Sequence, residues 1–147
     1  METTVRRGRA EDAGSLFALA RQYQTGREPI GRDEFLVALD NVLRHREQET
    51  NVLFVAEGNG VVAGYSLLTV SRLLHAPGLT AHLQEIVVDE VHRGAGIGEL
   101  LMHANEHYCM GRGVRQLSAS TARLGSFYDH RGFEKIGEHY RKLLELN

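Results

Sequence analysis

Near the start of the chain apolar residues recur at helical spacing; further on they give way to alternating, β-branched runs. Asp12 precedes Ala13, Leu16, Phe17, Ala20 and Tyr23, spaced three or four apart. This predicts an amphipathic helix with Asp12 as its cap. Gln24–Gly31 interrupts the pattern. Phe35, Leu39, Val42 and Arg46 then mark one side of a second helix, with Leu36 and Leu43 widening the stripe. Val52–Glu57 and Val61–Val70 read as strands. The intervening Gly58-Asn59-Gly60 predicts a tight hairpin, because these residues tolerate positive φ.

Pro77-Gly78 marks a loop, and His82–Val88 reads as the next strand. A helix is predicted from about Ile97 to Met110, stopped near Gly111 and Gly113, with its apolar stripe at Ile97, Leu100, Leu101, Ala104 and Tyr108. Val114–Ser120 is a further strand, Leu124–His130 a short helix, and Phe133–Leu144 one or two closing strands. With a short extended start at Val5–Arg9, the order is β, α, α, β, β, β, α, β, α, β. Early hairpins and a later β-α-β crossover predict an α/β (α+β) fold in one domain spanning 1–147. The expected sheet is mixed and mostly antiparallel, with six to seven strands and four flanking helices. A right-handed crossover makes strands four and five parallel neighbours.

Bulk composition narrows the class without naming it. A length of 147 residues suits one core, and the 42% hydrophobic and 24% charged fractions are those of ordinary globular chains. A formal net charge of −2 offers no basic face for nucleic acid. No run approaches the roughly 18 apolar residues of a membrane span, and METTVRRGRAED lacks the apolar stretch of a secretory leader. Cys109 is the single cysteine, which excludes an intrachain disulfide and makes a reducing cytoplasm the expected setting.

The segment with most chemical content is Arg93-Gly94-Ala95-Gly96-Ile97-Gly98, which follows a strand and opens a helix. Small residues there let backbone N–H groups crowd around an anion at the positive end of the helix dipole, and Arg93 adds charge. The phosphate loop of nucleotide hydrolases needs a Gly-Lys-Ser/Thr ending, and no lysine is present. The dinucleotide fingerprint needs a small residue where Glu99 or Leu101 stands, depending on which glycine begins it.

The loop resembles the Arg/Gln-x-x-Gly-x-Gly/Ala signature of the Gcn5-related N-acetyltransferases through Arg93, Gly96 and Gly98. Ile86-Val87-Val88-Asp89 is similar to that family's fourth strand, and Phe127-Tyr128-Asp129-His130-Arg131-Gly132-Phe133 to its aromatic-Tyr-x-x-x-Gly-Phe motif. The resemblance covers essentially the whole chain. It implies acetyl-CoA as cofactor, with the pantetheine arm between splayed strands four and five beside Ile86, Val87 and Val88. It places the pyrophosphate on the amides of Arg93, Gly94, Ala95, Gly96, Ile97 and Gly98. Thr121 stands where relatives often carry an asparagine contacting the cofactor; its hydroxyl can still donate.

Acetyl transfer to an amine needs a base for the amine, a donor for the oxyanion and an acid for the leaving thiolate. By resemblance Tyr128 is the acid, and a strand-four N–H, that of Val87 or Val88, is the oxyanion donor. Strict alternation puts His82, Gln84, Ile86 and Val88 on one face and Leu83, Glu85 and Val87 on the other. Relatives place catalytic groups at positions matching His82 and Gln84. Glu85 is the natural carboxylate base, but it reaches the site only if a bulge shifts the alternation.

His103-Ala104-Asn105-Glu106-His107 competes as an H-x-x-E-H zinc-peptidase pattern. Its histidines fall at the edge of the helix's apolar stripe and Glu106 almost opposite, so a solvated face is the reading preferred, with no metal. The acceptor amine, expected to be a small molecule, should meet Tyr23–Gly31 and the loop Ser71–Ala81, with Tyr23, Arg27, Glu28, Arg72, His75 and Gln84 as candidate contacts. Aminoalkylphosphonate, aminoglycoside and glucosamine-phosphate acetyltransferases are similar in pattern. A protein N-acetyltransferase and a non-catalytic CoA-binding module are the alternatives. Homodimerisation is common in the family.

Overall fold

The computed structural model describes residues 2–23, 28–44, 50–120 and 126–144. Among them a five-stranded sheet runs in the order β1 (Thr4–Arg7), β2 (Asn51–Gly58), β3 (Val61–Arg72), β4 (Leu79–Val88) and β5 (Val114–Ala119). The first three pairings are antiparallel, and β4 and β5 run parallel across the intervening helix, as the β-α-β reading predicts. Asn59 (φ 53°) and Gly60 (φ 75°) turn β2 into β3, the positive-φ pair that a two-residue hairpin requires.

Helices α1 (Ala13–Ala20) and α2 (Arg32–Arg44) cover one face; α3 (Ile97–Arg112) covers the other. On the α1/α2 face Leu16, Leu19 and Leu39 pack on Leu53, Val55, Tyr65 and Val87. On the α3 face Met102 and Cys109 pack on Val52, Leu68, Val70, Ala81 and Leu83, with Ile97 and Leu101 against Ala56 and Ala63. Gly64 lets three elements meet: a Cβ there would lie 2.8 Å from the Val87 carbonyl oxygen and 3.3 Å from the Ile97 side chain. A short fourth helix, α4 (Ser126–Asp129), lies beyond β5.

Three sequence expectations change. Asp12 does not cap α1 with its side chain. It ends a 3-10 turn (Ala10–Asp12), where its carboxylate binds the Arg6 guanidinium through both oxygens and accepts the Arg9 N–H at 2.8 Å. The hydrogen bonds from Arg6, against the opposing effect of burial, hold the Asp12 carboxyl below its ordinary range. The buried stripe of α3 includes Met102, Asn105 and Cys109, whereas Leu100 is 39% exposed. Asn105 takes a core position because its Nδ2 donates to Ser66 Oγ and to the Leu101 carbonyl, both at 2.8 Å. Arg46 of the second helix's predicted stripe lies outside the described residues.

The last change concerns Phe133–Leu144, expected to close the sheet as one or two strands. No strand forms there among the described residues, so the sheet has five strands rather than six or seven. Phe133, Ile136, Tyr140 and Leu143 recur at intervals of three and four, which offers no period-two face to a ladder. Ile136, Tyr140, Leu143 and Leu144 are all exposed.

Candidate active site

The site originates in an irregularity of β4. Leu67 pairs with Glu85, but Leu68 pairs with Leu83, so Gln84 has no counterpart on β3 and forms a bulge. A bulge inverts the alternation beyond it. Leu83 therefore shares the α3 face with Ile86, while His82 (opposite Thr69) shares the α1/α2 face with Glu85 and Val87. The strict alternation read from sequence is corrected accordingly: the bulge brings His82 and Glu85 to one face and separates His82 from Ile86 and Val88.

Past the bulge, β4 also loses its other neighbour. The β4–β5 ladder ends at Leu83↔Ala119, whereas β4 continues to Val88. From Glu85 to Val88 its backbone has a partner only on the β3 side. A cleft of about 530 Å³ opens in the gap. Its walls come from both faces of the sheet, with Tyr23, Glu85 and Val87 from one and Ile86, Val88, Ile97 and Phe127 from the other.

One end of the cleft is built for an anion. Asp89 Oδ1 accepts the Val91 N–H and starts a 3-10 turn, Glu90–His92, that delivers the glycine loop. Gly94 (φ 86°) and Gly96 (φ 84°) both adopt the left-handed region, and neither would clash through a Cβ, so backbone conformation is what requires glycine there. Gly96 caps α3 without a side-chain acceptor, which leaves the first amides of a 16-residue helix free of side-chain partners. Arg93, whose Nε donates to the Val88 carbonyl at 3.2 Å, lines the same wall.

The other residues read from sequence divide clearly. Gly94, Gly96, Ile97, Gly98, Ile86, Val87 and Val88 line the cleft, and Ala95 does not. Tyr128 lines it from α4, packed edge-on between Phe127 and Phe133. Burial, and then the nearby Tyr23, raise the Tyr128 pKa, so its phenol keeps its proton. Glu85, Gln84 and Tyr23 line the cleft as well. His82 stands one hydroxyl back: its Nδ1 lies 2.8 Å from Ser118 Oγ and its Nε2 3.4 Å from Ser120 Oγ, and Ser120 is the cleft residue. Burial, with the charge of His139 second, lowers the His82 pKa and favours a neutral imidazole. His75, Arg72 and Glu28 are exposed and do not line the cleft. Arg27 and Thr121 lie outside the described residues.

Several wall residues escaped the sequence reading. Arg131 lies 3.8 Å above the Phe127 ring, pairs with Glu99 at 3.6 Å and faces the cleft beside Arg93. It sits inside the aromatic motif, so its spacing from Tyr128 was the available signal. Gln22 ties the end of α1 to the loop by donating to Asp89 and accepting the Glu90 N–H at 3.1 Å. Tyr65, buried in the core, donates a 2.6 Å hydrogen bond to Glu85 Oε1. On α3, His103 and His107 are exposed, and among the described residues they join no cluster of three metal-binding side chains.

The fold recurs in solved structures. A transcriptional regulator from Bacillus halodurans C-125 is 20% identical with a TM-score of 0.87, over 97% of this chain and 100% of that one. Glucosamine-6-phosphate N-acetyltransferase from Arabidopsis thaliana is 19% identical with a TM-score of 0.81, over 99% and 100%. An aminoglycoside N-acetyltransferase in complex with CoA is 19% identical with a TM-score of 0.77, over 96% and 95%. No curated protein sequence matches. These structures share the fold of this chain. The acetyltransferase (GNAT) domain model matches residues 22–143, and the chain belongs to this family, whose members use acetyl-CoA.

Proposed function

We propose that this protein transfers the acetyl group of acetyl-CoA to the primary amine of a small molecule. The carrying observation is the bulge at Gln84, which sets Glu85 on the wall of the gap that Tyr128 lines from α4. The cofactor brings an acetyl thioester, an acyl group open to attack by an amine. Its chemistry fits the residues present. Arg93, Arg131 and the free amides at the start of α3 suit its phosphates. The one-sided backbone of Ile86–Val88 suits the amides of its pantetheine arm, as an unpaired strand edge suits any extended chain.

Glu85 accepts the proton that the amine gives up, and Tyr65 holds its carboxylate in place. Tyr128, protonated and without a hydrogen-bond partner among the described residues, donates to the departing sulfur. His82 reaches the cleft through Ser120 and provides the route by which a proton leaves for solvent. A thermal-shift titration with acetyl-CoA, followed by thiol release with a panel of amines, tests the reading. At 100 times its dissociation constant the cofactor should stabilise the fold by about 2.7 kcal/mol. Absence of any shift refutes the proposal.

A further inference from the structure

The cations of the cleft stand on one side of it. Among the described residues its cationic walls are Arg93 and Arg131, and both belong to the loop and α4 side. Arg93 is tied to the Val88 carbonyl, and Arg131 is stacked on Phe127 and paired with Glu99. On the α1/α2 face the walls are Gln22, Tyr23, Glu85 and Val87, with Tyr65 directly behind. Glu85 is the one charged group of that set.

Its environment is unusual for a carboxylate lying partly out of water. Half-buried carboxylates ordinarily hold a cation. Glu85 has none among the described residues, and its recorded bond is the one Tyr65 donates to Oε1. That bond fixes the rotamer and leaves Oε2 for whatever enters the cleft. Tyr65 is only 5% exposed, so its phenol cannot turn to another partner in solvent. Tyr23 lines the same cleft as Glu85, so an entering cation meets a carboxylate and an aromatic residue in one cavity.

We infer that Tyr65, Glu85 and Tyr23 form a cation-selecting seat, so that the acceptor is an amine bound as its ammonium, with no anionic group close to the nitrogen. The inference rests on the acetyl-transfer reading and narrows its substrate class. A phosphate, phosphonate or carboxylate next to the amine would face Glu85 with no described cation at hand. A hydroxyl or a second ammonium would not. Tyr65 is the positioning residue, acting through Glu85.

The test uses three matched acceptors of equal chain length: a terminal diamine, an amino alcohol and an amino carboxylate. Acetyl-CoA binding is measured first by calorimetry, and failure to bind removes the parent reading together with the seat. With binding established, the diamine and amino alcohol should exceed the amino carboxylate at least tenfold in kcat/KM, about 1.4 kcal/mol. Glu85→Gln should collapse that ratio towards one. Tyr65→Phe should lower it partly, through KM more than kcat, with the midpoint of thermal unfolding recorded for each variant. Calorimetric binding of the three amines to the CoA-saturated protein gives the same ranking without turnover. Preference for the amino carboxylate, an unchanged ratio in both variants, or no turnover of any of the three overturns the seat and leaves cofactor binding standing.

Discussion

The two halves of β4 have the same strand geometry and opposite tasks. Leu79–Leu83 is bonded on both sides, to β3 and to β5, and Ala81 and Leu83 are buried against α3. Glu85–Val88 is bonded on one side only and borders the cleft along its length. One unpaired residue separates them. A sheet edge is ordinarily a liability to be covered; here an edge is made inside the sheet and faces the cleft. Stability and chemistry are thereby assigned to adjoining stretches of a single strand.

The sharpest test of this division is Leu68→Ala. Leu68 is fully buried opposite Leu83 and is not itself a cleft residue. The change should cost about 3 kcal/mol in urea unfolding while kcat/KM of the folded fraction stays near the wild-type value. Tyr128→Phe should do the reverse: kcat falls about 100-fold, and stability moves by less than about 0.5 kcal/mol. If either variant changed both quantities together, the two regions would not be separable.

Gly96→Ala is expected to be intermediate. An alanine at φ 84° costs about 1–2 kcal/mol, and the resulting shift of the loop should show as weaker acetyl-CoA binding by calorimetry rather than a lower kcat. The smallest effect concerns pH. His82 sits at the boundary of the two halves with a lowered pKa, so below its unfolded value the unfolded chain binds the proton more readily. Its contribution is complete above an unfolded pKa of about 6.5 and is lost as pH falls towards its folded value. His82→Asn should flatten the slope of stability against pH in that window, read from urea midpoints, and leave the alkaline side unchanged.

What sequence could reveal follows the same boundary. The hairpin at Asn59-Gly60, the parallel crossover and the glycine loop depend on local signals, and each forms as predicted. The bulge at Gln84 does not, because a bulge is a property of two strands and β4 alone reads as regular alternation. Asn105 was hidden for a related reason. A polar residue on a helix reads as surface until the Ser66 opposite it is known. Arg131 and Ser120 reach the cleft only once α4 and the end of β5 are positioned around it. The apolar spacing of Phe133–Leu144 was legible and argued against strands, although its place at the end of a β-α-β series suggested them.

The buried amide of Asn105 has one more consequence, for the axial setting of α3. One Nδ2 hydrogen stays with the Leu101 carbonyl on α3 itself, and the other reaches Ser66 at a single position of the helix along the sheet. Sliding α3 by one turn, about 5.4 Å, would leave that second N–H without Ser66 in the core and cost about 1–3 kcal/mol. The same slide would carry Gly94–Gly98 an equal distance away from the free end of β4. A hydrogen bond in the dry core on the α3 side thus works as a vernier stop. It sets how far the amides at the start of α3 stand from Glu85, and hence the length of ligand that would bridge the two.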